Sequence, residues 1–361
     1  METRTGLYSI RGDVQPGPLA RLLDALREAL ENAGVAAAAA GNESEASLVL
    51  NVVDPQAPKP FRRKSRGTFA AALYERSDEP TLESEYPMLV RALANIAVSY
   101  VEGRGVWFTT MERGFYHVEE RVDLRQLADE VVERLLPIAR ARLVIDNEFR
   151  PDLEPELWGG DEVTSEIREA GVRLGALDLL PNPFPIEDLL SERELRHVKR
   201  LYGIGGLSYG NLSQRKDATR FWMSASGVDK TKLETPGRDV LLVSGYDEAN
   251  AKIVLSVPPG IEPRRVSVDA IEHWMIYTQH PEVGAILHVH AWVEGIAATD
   301  INYPCGSEEL ARSVSELINA APDPTKAIVG LRNHGITATG TSLTEILDRI
   351  ESKVMRQVPM Y

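Results

Sequence analysis

The chain has 361 residues, 43% hydrophobic and 26% charged, with a formal net charge of −14 at pH 7, an ordinary globular balance with room for two domains. That acidity argues against a surface for nucleic acid or an anionic membrane, so an anionic ligand must be held by local donors. One cysteine, Cys305, rules out an intrachain disulfide and suits a reducing compartment. The start of the chain lacks the apolar core of a signal peptide and no apolar run reaches membrane-spanning length, so a cytoplasmic protein is expected.

In chain order, residues 7–10 read as a strand. Residues 18–33 read as an amphipathic helix, with Leu19, Leu22, Leu23, Leu26 and Leu30 at helical spacing and Gly34 as its stop. Strands are expected over 47–53 and 68–74, a helix over 86–101, a hairpin over 106–118 turning near Arg113-Gly114, and a helix over 124–143. This is an α/β or α+β module without a glycine-rich phosphate loop, and His117, its one histidine, reads as structural. The Pro- and Gly-bearing stretch 150–160 suggests a boundary, giving an N-terminal domain over 1–155 and a second domain over 156–361. Helices are then expected over 162–174 and, after a Pro-rich connection at 181–185, over 186–202, with Ser191 and Glu194 as a capping box.

Chemistry concentrates beyond Gly203. The segment Gly203-Ile-Gly-Gly-Leu-Ser-Tyr-Gly-Asn-Leu-Ser213 closes a helix and opens a strand through several glycines, and Gly210 with Asn211 offers donors to an anion. The strand at 220–224 runs into a turn at Ser226-Gly227 suited to a second anion site, with Lys230 as a charge partner. Residues 241–244 and 251–255 read as a hairpin. A helix over 267–280 takes Ser267 as its N-cap, and its open N–H groups form another local anion site. Asp269 in its first turn either offsets the helix dipole or aims a carboxylate at the site as ligand or base. His273 and His280 read as packing or surface residues.

Strand alternation in Gly284-Ala-Ile-Leu-His-Val-His290 puts His288 and His290 on one face, about 7 Å apart along the backbone. A third histidine, His334, ends a short buried strand over 327–335. Three imidazoles with an open position suit a catalytic divalent metal, with zinc expected and manganese or cobalt as alternatives. Cys305 reads as a packed loop residue rather than a nucleophile or ligand. A final helix is expected over 343–355.

Gly210-Asn-Leu-Ser213, Ser224-Ala-Ser-Gly227, Ser267-Val-Asp269, His288-Val-His290 and Asn333-His-Gly335, in this order, resemble the class II aldolase/adducin family over about residues 186–358. Asp269 precedes His288 by 19 positions, the offset of that family's acidic residue from its first metal histidine. The resemblance implies an α/β/α sandwich around a mainly antiparallel sheet, preceded here by a smaller α/β or α+β domain, and assembly as a homo-oligomer, most often a tetramer. It also implies a metal held by His288, His290 and His334, with Asp269 as the catalytic acid–base. Gly210, Asn211, Ser226, Gly227, Lys230 and Ser267 would hold the substrate. The implied activity is an aldolase-like lyase acting on a small hydroxy-carbonyl or sugar-phosphate compound through a metal-stabilised enediolate. An epimerase, a decarboxylase, or a non-catalytic adducin-like binding module are the alternatives. The chain departs from the pattern where Asp269 stands for a usual glutamate, Ala225 for a proline and Lys230 for a frequent tyrosine, and where the segment from His290 to Pro304 is short.

Overall fold

The computed structural model describes residues 6–39, 45–63, 67–110, 114–180, 186–202 and 209–361. The expected Pro-rich connection at 181–185, the glycines of 203–207 and Arg113 of the hairpin turn lie outside these residues. The chain divides into two compact units, one comprising Met1–Ala141 with Glu187–His197 and Met360–Tyr361, the other Arg142–Ile186 with Val198–Pro359.

The first unit is built from β1 (Leu7–Arg11), α1 (Pro18–Asn32), β2 (Ala36–Ala37), β3 (Leu48–Val52), β4 (Phe69–Glu75), α2 (Leu82–Arg91), β5 (Ile96–Val101), β6 (Gly105–Thr110), β7 (Phe115–Glu119) and α3 (Leu124–Arg140). Its sheet runs β2-β1-β3-β4-β5-β6-β7, parallel from β2 to β5 and antiparallel from β5 to β7. The leucine stripe of α1 is buried, with Leu22, Leu26 and Leu30 fully so, each adding about 1.5–3 kcal/mol of apolar burial. The helix expected over 86–101 is corrected. α2 starts earlier, at a Thr81/Ser84 capping box, and ends at Arg91. Leu93 then turns with a positive φ of 54°, and Ile96–Val101 forms a fully buried strand beside β4. An unbroken apolar run fits a buried strand as well as a helix, and its periodicity hides the break.

The second unit begins with β8 (Asp146–Arg150) and α4 (Glu162–Ala176); of the next two helices, α5 (Ile186–Leu189) groups with the first unit from Glu187 and α6 (Glu192–Tyr202) does so as far as His197. The helix expected over 186–202 is therefore two helices. Ser191 separates them, its hydroxyl accepting from Glu194 N–H while Glu194 Oε2 accepts from Ser191 N–H, the reciprocal cap read from the sequence. There follow β9 (Asn211–Arg215), β10 (Phe221–Ser224), β11 (Val240–Asp247), β12 (Lys252–Ser256), α7 (Ala270–Gln279), β13 (Ala285–Val289), α8 (Glu308–Ala320), β14 (Ile328–Leu331), β15 (Gly335–Gly340) and α9 (Leu343–Ile350). The sheet order is β14-β15-β13-β9-β10-β11-β12-β8, antiparallel throughout except for the parallel pair β12–β8. Because β8 belongs to this sheet, the division falls at Ala141/Arg142, earlier than the Pro- and Gly-bearing stretch at 150–160 suggested.

Strand β9 shows how the sheet sorts its two faces. Ser213 hydrogen-bonds His273 and Tyr277 of α7. The next residue, Gln214, accepts from Leu343 N–H at the start of α9 and donates to Glu166 of α4. Alternating side chains thus reach opposite helix layers. With α4 and α9 on one face and α7, itself packed on α8, on the other, the unit is an α/β/α sandwich around a mainly antiparallel sheet.

Candidate active site

The site lies on the α7 face of the sheet. Register places Asn211 of β9 directly opposite His288 of β13, and Thr337 of β15 opposite His288 from the other side, so the three side chains share that face. His290 follows at the bend after β13, and His334 sits in the β14–β15 connection just after Asn333, whose φ is 56°. Two glycines allow these segments to converge. A Cβ at Gly210, whose φ is +75°, would lie 2.4 Å from the His288 carbonyl oxygen, and one at Gly335 would lie 2.3 Å from that of Val289. Gly210→Ala should therefore cost roughly 1–3 kcal/mol in strain and displace the strand bearing His288. Denaturant unfolding measures the first effect and metal titration the second.

The three imidazoles meet. Each of His288, His290 and His334 offers a ring nitrogen within 4.8 Å of the other two, with His290 Nε2 and His334 Nε2 3.1 Å apart. The ring centroids are separated by 4.7 to 5.2 Å. His288 is buried. Its Nδ1 lies 3.0 Å from the Ile336 carbonyl oxygen, which fixes the ring with that nitrogen as donor, while its Nε2 has no hydrogen-bond partner among the described residues. A buried lone pair aimed at two other imidazoles, with its ring held by a backbone acceptor, is what a divalent ion requires. Burial lowers the His288 pKa to about 4 and that of His334 to about 3, so both stay neutral, as ligands must be.

The helix expected from Ser267 is corrected: α7 starts at Ala270, with Asp269 in the N-cap position. Backbone pairing delays it, since Val266 bridges Ala225 and Ser267 N–H donates to the Ser224 carbonyl. Asp269 makes no capping bond to the helix. Its Oδ2 instead accepts from Asn211 Nδ2 at 2.7 Å, and Oδ1 has no hydrogen-bond partner among the described residues. Burial raises the pKa of this carboxyl, opposed by His334, Asn211 and Lys230. The simple helix-dipole role does not account for a carboxylate turned inward.

The expected anion ligands divide. Asn211 is buried and its amide N–H is given to Asp269. Ser226 N–H is taken by the Arg265 carbonyl, and Gly227 is exposed with a φ of 69°. Lys230 is 2% exposed. Burial lowers its pKa to about 8, against the nearby charges of Asp269 and Asp229. It is an ammonium beside the acid rather than a surface partner for the turn.

Two features were not read from the sequence, Glu272 and the place of Cys305, while His273 takes the packing role expected of it. Glu272, one turn beyond Asp269, is buried and accepts from Thr337 Oγ1 at 2.6 Å; burial and Asp269 both raise its pKa. His273 is fully buried, its Nδ1 2.7 Å from Ser213 Oγ, and burial lowers its pKa to about 3. Cys305 Sγ lies 3.6 Å from His334 Nε2 and 3.9 Å from its Nδ1, packed beside that ring. The i, i+3 spacing of Asp269 and Glu272 was a visible signal; Thr337 and Cys305 needed the register and the loop.

These buried groups set opposite pH slopes in metal-free protein. His273 binds fewer protons folded than unfolded between about 3 and its ordinary 6.5, so stability should fall as pH drops through that window. Glu272 holds its proton longer when folded, so stability should fall as pH rises above its ordinary 4.5. Glu272→Gln should flatten the second slope, which equilibrium unfolding at a series of pH values checks.

Residues 195–300 match the model of the class II aldolase and adducin N-terminal domain. This part of the chain is similar to the class II aldolase/adducin family. Over 137 residues the chain is 33% identical to a methylthioribulose-1-phosphate dehydratase of Leptospira biflexa serovar Patoc, a match covering 37% of this chain and 61% of that protein. It is 35% identical over 81 residues to a protein of the same name from Cronobacter sakazakii, covering 22% of this chain and 36% of that one. The chain thus spans about three fifths or less of the length of these curated relatives. Among solved structures it resembles an L-fuculose 1-phosphate aldolase, at 18% identity over 54% of this chain and 83% of that one, with a TM-score of 0.36. It also resembles the L-fuculose-1-phosphate aldolase of Thermus thermophilus, at 20% identity over 53% and 90% of the two chains, with a TM-score of 0.34. Among the described residues, no helix is long and apolar enough to cross a membrane.

Proposed function

We propose that the second unit is a divalent-metal-dependent lyase acting on a small phosphorylated hydroxy-carbonyl compound. The observation that carries this reading is the convergence of His288, His290 and His334 beside a buried Asp269 that Asn211 orients. His288, His290 and His334 would hold the ion, with zinc suited to three neutral imidazoles. When bound, it supplies a Lewis acid that polarises a carbonyl and stabilises the adjoining negative charge.

Asp269 removes the proton next to that carbonyl. Its Oδ1 is the basic atom, and the Asn211 amide on Oδ2 fixes which oxygen faces the substrate. Burial raises the pKa of Asp269 and so strengthens the base, while His334, the Asn211 amide and Lys230 act in the opposite direction. The Ser226-Gly227 turn, Gly210 and Ser267 would receive the substrate's anionic group, while Lys230 stays buried beside the acid. The relatives named methylthioribulose-1-phosphate dehydratase support a phosphorylated sugar and loss of water; the aldolase reading uses the same proton transfer followed by carbon–carbon cleavage. Homo-oligomeric assembly, a tetramer by family resemblance, belongs to the same proposal.

The test is an assay of metal-loaded protein against ketose and aldose phosphates, following dehydration, aldol cleavage, epimerisation and decarboxylation separately. Dehydration or cleavage of a phosphorylated sugar is the expected result. Epimerisation or decarboxylation alone would move the assignment to those alternatives, and inactivity with every substrate would favour an adducin-like binding module.

A further inference from the structure

We propose that Glu272 is a second proton-transfer residue of the site, the acid that protonates the departing oxygen while Asp269 acts as the base, a role that rests on the lyase reading above and narrows it to elimination of water. Asp269 stands at the N-cap of α7 and Glu272 three residues on, the two places from which side chains ordinarily cap a helix. Neither does so. Asp269 makes no capping bond, and Glu272 Oε1 accepts instead from Thr337 Oγ1 at 2.6 Å.

Both side chains turn to the sheet, and the register fixes where they arrive. Asn211, His288 and Thr337 form one row across β9, β13 and β15. Neighbouring strands lie about 4.8 Å apart, so the ends of that row are about 10 Å apart. Asp269 is anchored on Asn211 at one end and Glu272 on Thr337 at the other, with His288 between the two anchors. Each carboxyl commits one oxygen to its anchor. The other oxygens, Asp269 Oδ1 and Glu272 Oε2, are buried without a hydrogen-bond partner among the described residues. Burying an unpaired oxygen costs stability, and a proton-transfer role accounts for both.

The two carboxyls are not equivalent. Asp269 faces His334, the Asn211 amide and the Lys230 ammonium, all of which favour its charged form. Glu272 has the Thr337 hydroxyl alone against burial and the charge of Asp269, which push its pKa up to about 8. At neutral pH the proton therefore sits on Glu272 and Asp269 is the ionised member, as in other carboxyl pairs whose environments push their pKa values apart. Because Oε1 accepts from Thr337, that proton is carried on Oε2.

Asp269 Oδ1 takes the proton from the carbon beside the carbonyl, leaving the C–H electron pair in an enolate. That pair then forms a carbon–carbon double bond as the C–O bond on the next carbon breaks. The oxygen departs with the electrons of that bond and the Glu272 proton, as water. Passage of the abstracted proton from Asp269 to Glu272 restores the pair, so one substrate gives one water and one enol.

Metal-loaded full chain with ribulose 1-phosphate in heavy water separates the two roles. This ketose phosphate carries a hydroxyl on the carbon next to the one that is deprotonated. Deuterium uptake beside the carbonyl reports the base, and dehydrated product reports the acid. Asp269→Asn should lower both. Glu272→Gln should keep its metal and its deuterium uptake but form product about 10²- to 10⁴-fold more slowly. Equal loss of uptake and product in Glu272→Gln, or product at the wild-type rate, overturns the inference and leaves Asp269 and the histidines in their roles. Wild-type protein that neither exchanges nor eliminates overturns the lyase reading and this inference together. Infrared spectra of the wild-type protein decide even if the variant does not fold. A carboxylic-acid carbonyl band should be present at neutral pH and shift on isotopic labelling of glutamate; a protein with no protonated glutamate overturns the inference.

Discussion

Replacing both strand histidines, His288→Ala/His290→Ala, should abolish zinc-dependent stabilisation. A ligand that binds only the folded state stabilises it by about 2.7 kcal/mol at a free concentration 100-fold above Kd, so wild-type protein should melt at a higher temperature with zinc than after chelation. The double variant keeps one imidazole of the cluster and should melt at the same temperature in both conditions. The effect is large because two of the three nitrogens that lie within 4.8 Å of one another are removed at once. The substitutions also remove the His288 Nδ1 bond to the Ile336 carbonyl and leave cavities, so metal-free stability should fall too, and the decisive readout is the difference between zinc and chelator within each protein. Scanning calorimetry of both proteins, with zinc and with chelator, checks this; a variant with the full zinc response would place the metal elsewhere.

Asp269→Asn should lower turnover by about 10²- to 10⁴-fold, the usual contribution of a positioned general base, while metal binding persists. The change is nearly isosteric, and the new side-chain oxygen can still accept from Asn211. It also removes a carboxyl whose ionised form is disfavoured by burial, so stability should hold or rise. A residue serving only the helix dipole would behave in the opposite way, losing about 0.3–1 kcal/mol of stability and keeping its activity. Paired measurements of kcat and of unfolding midpoint separate the two roles.

The site was legible in the sequence where chemistry depends on local spacing. The alternation of His288-Val-His290, the Asn333-His-Gly335 turn and the i, i+2 character of the strand are short-range facts that survive folding unchanged. Elements bounded by a visible cap or stop, such as α1 before Gly34 and α6 after Ser191, were legible for the same reason. What failed were features decided at a distance. Residues 96–101 became a strand because β4 lies alongside them, although their own pattern continued the helix before them. Ser267 lost its capping role because Ser224 holds its backbone, and Asp269 took the N-cap position while turning its carboxylate to Asn211 across 58 residues of sequence. Lys230 and Cys305 joined the site by burial and loop placement, which no periodicity encodes. Strand β8 entered the second sheet by parallel pairing with β12, through a connection that local pattern cannot reveal.

The histidine cluster on the α7 face should hold one divalent ion. Elemental analysis of the full chain, first as purified and then after exposure to zinc and removal of excess, tests it most directly. The expected result is about one ion per chain, retained through gel filtration, with zinc held in preference to manganese. A reconstituted and folded chain that retains no divalent ion would leave these histidines without a metal role.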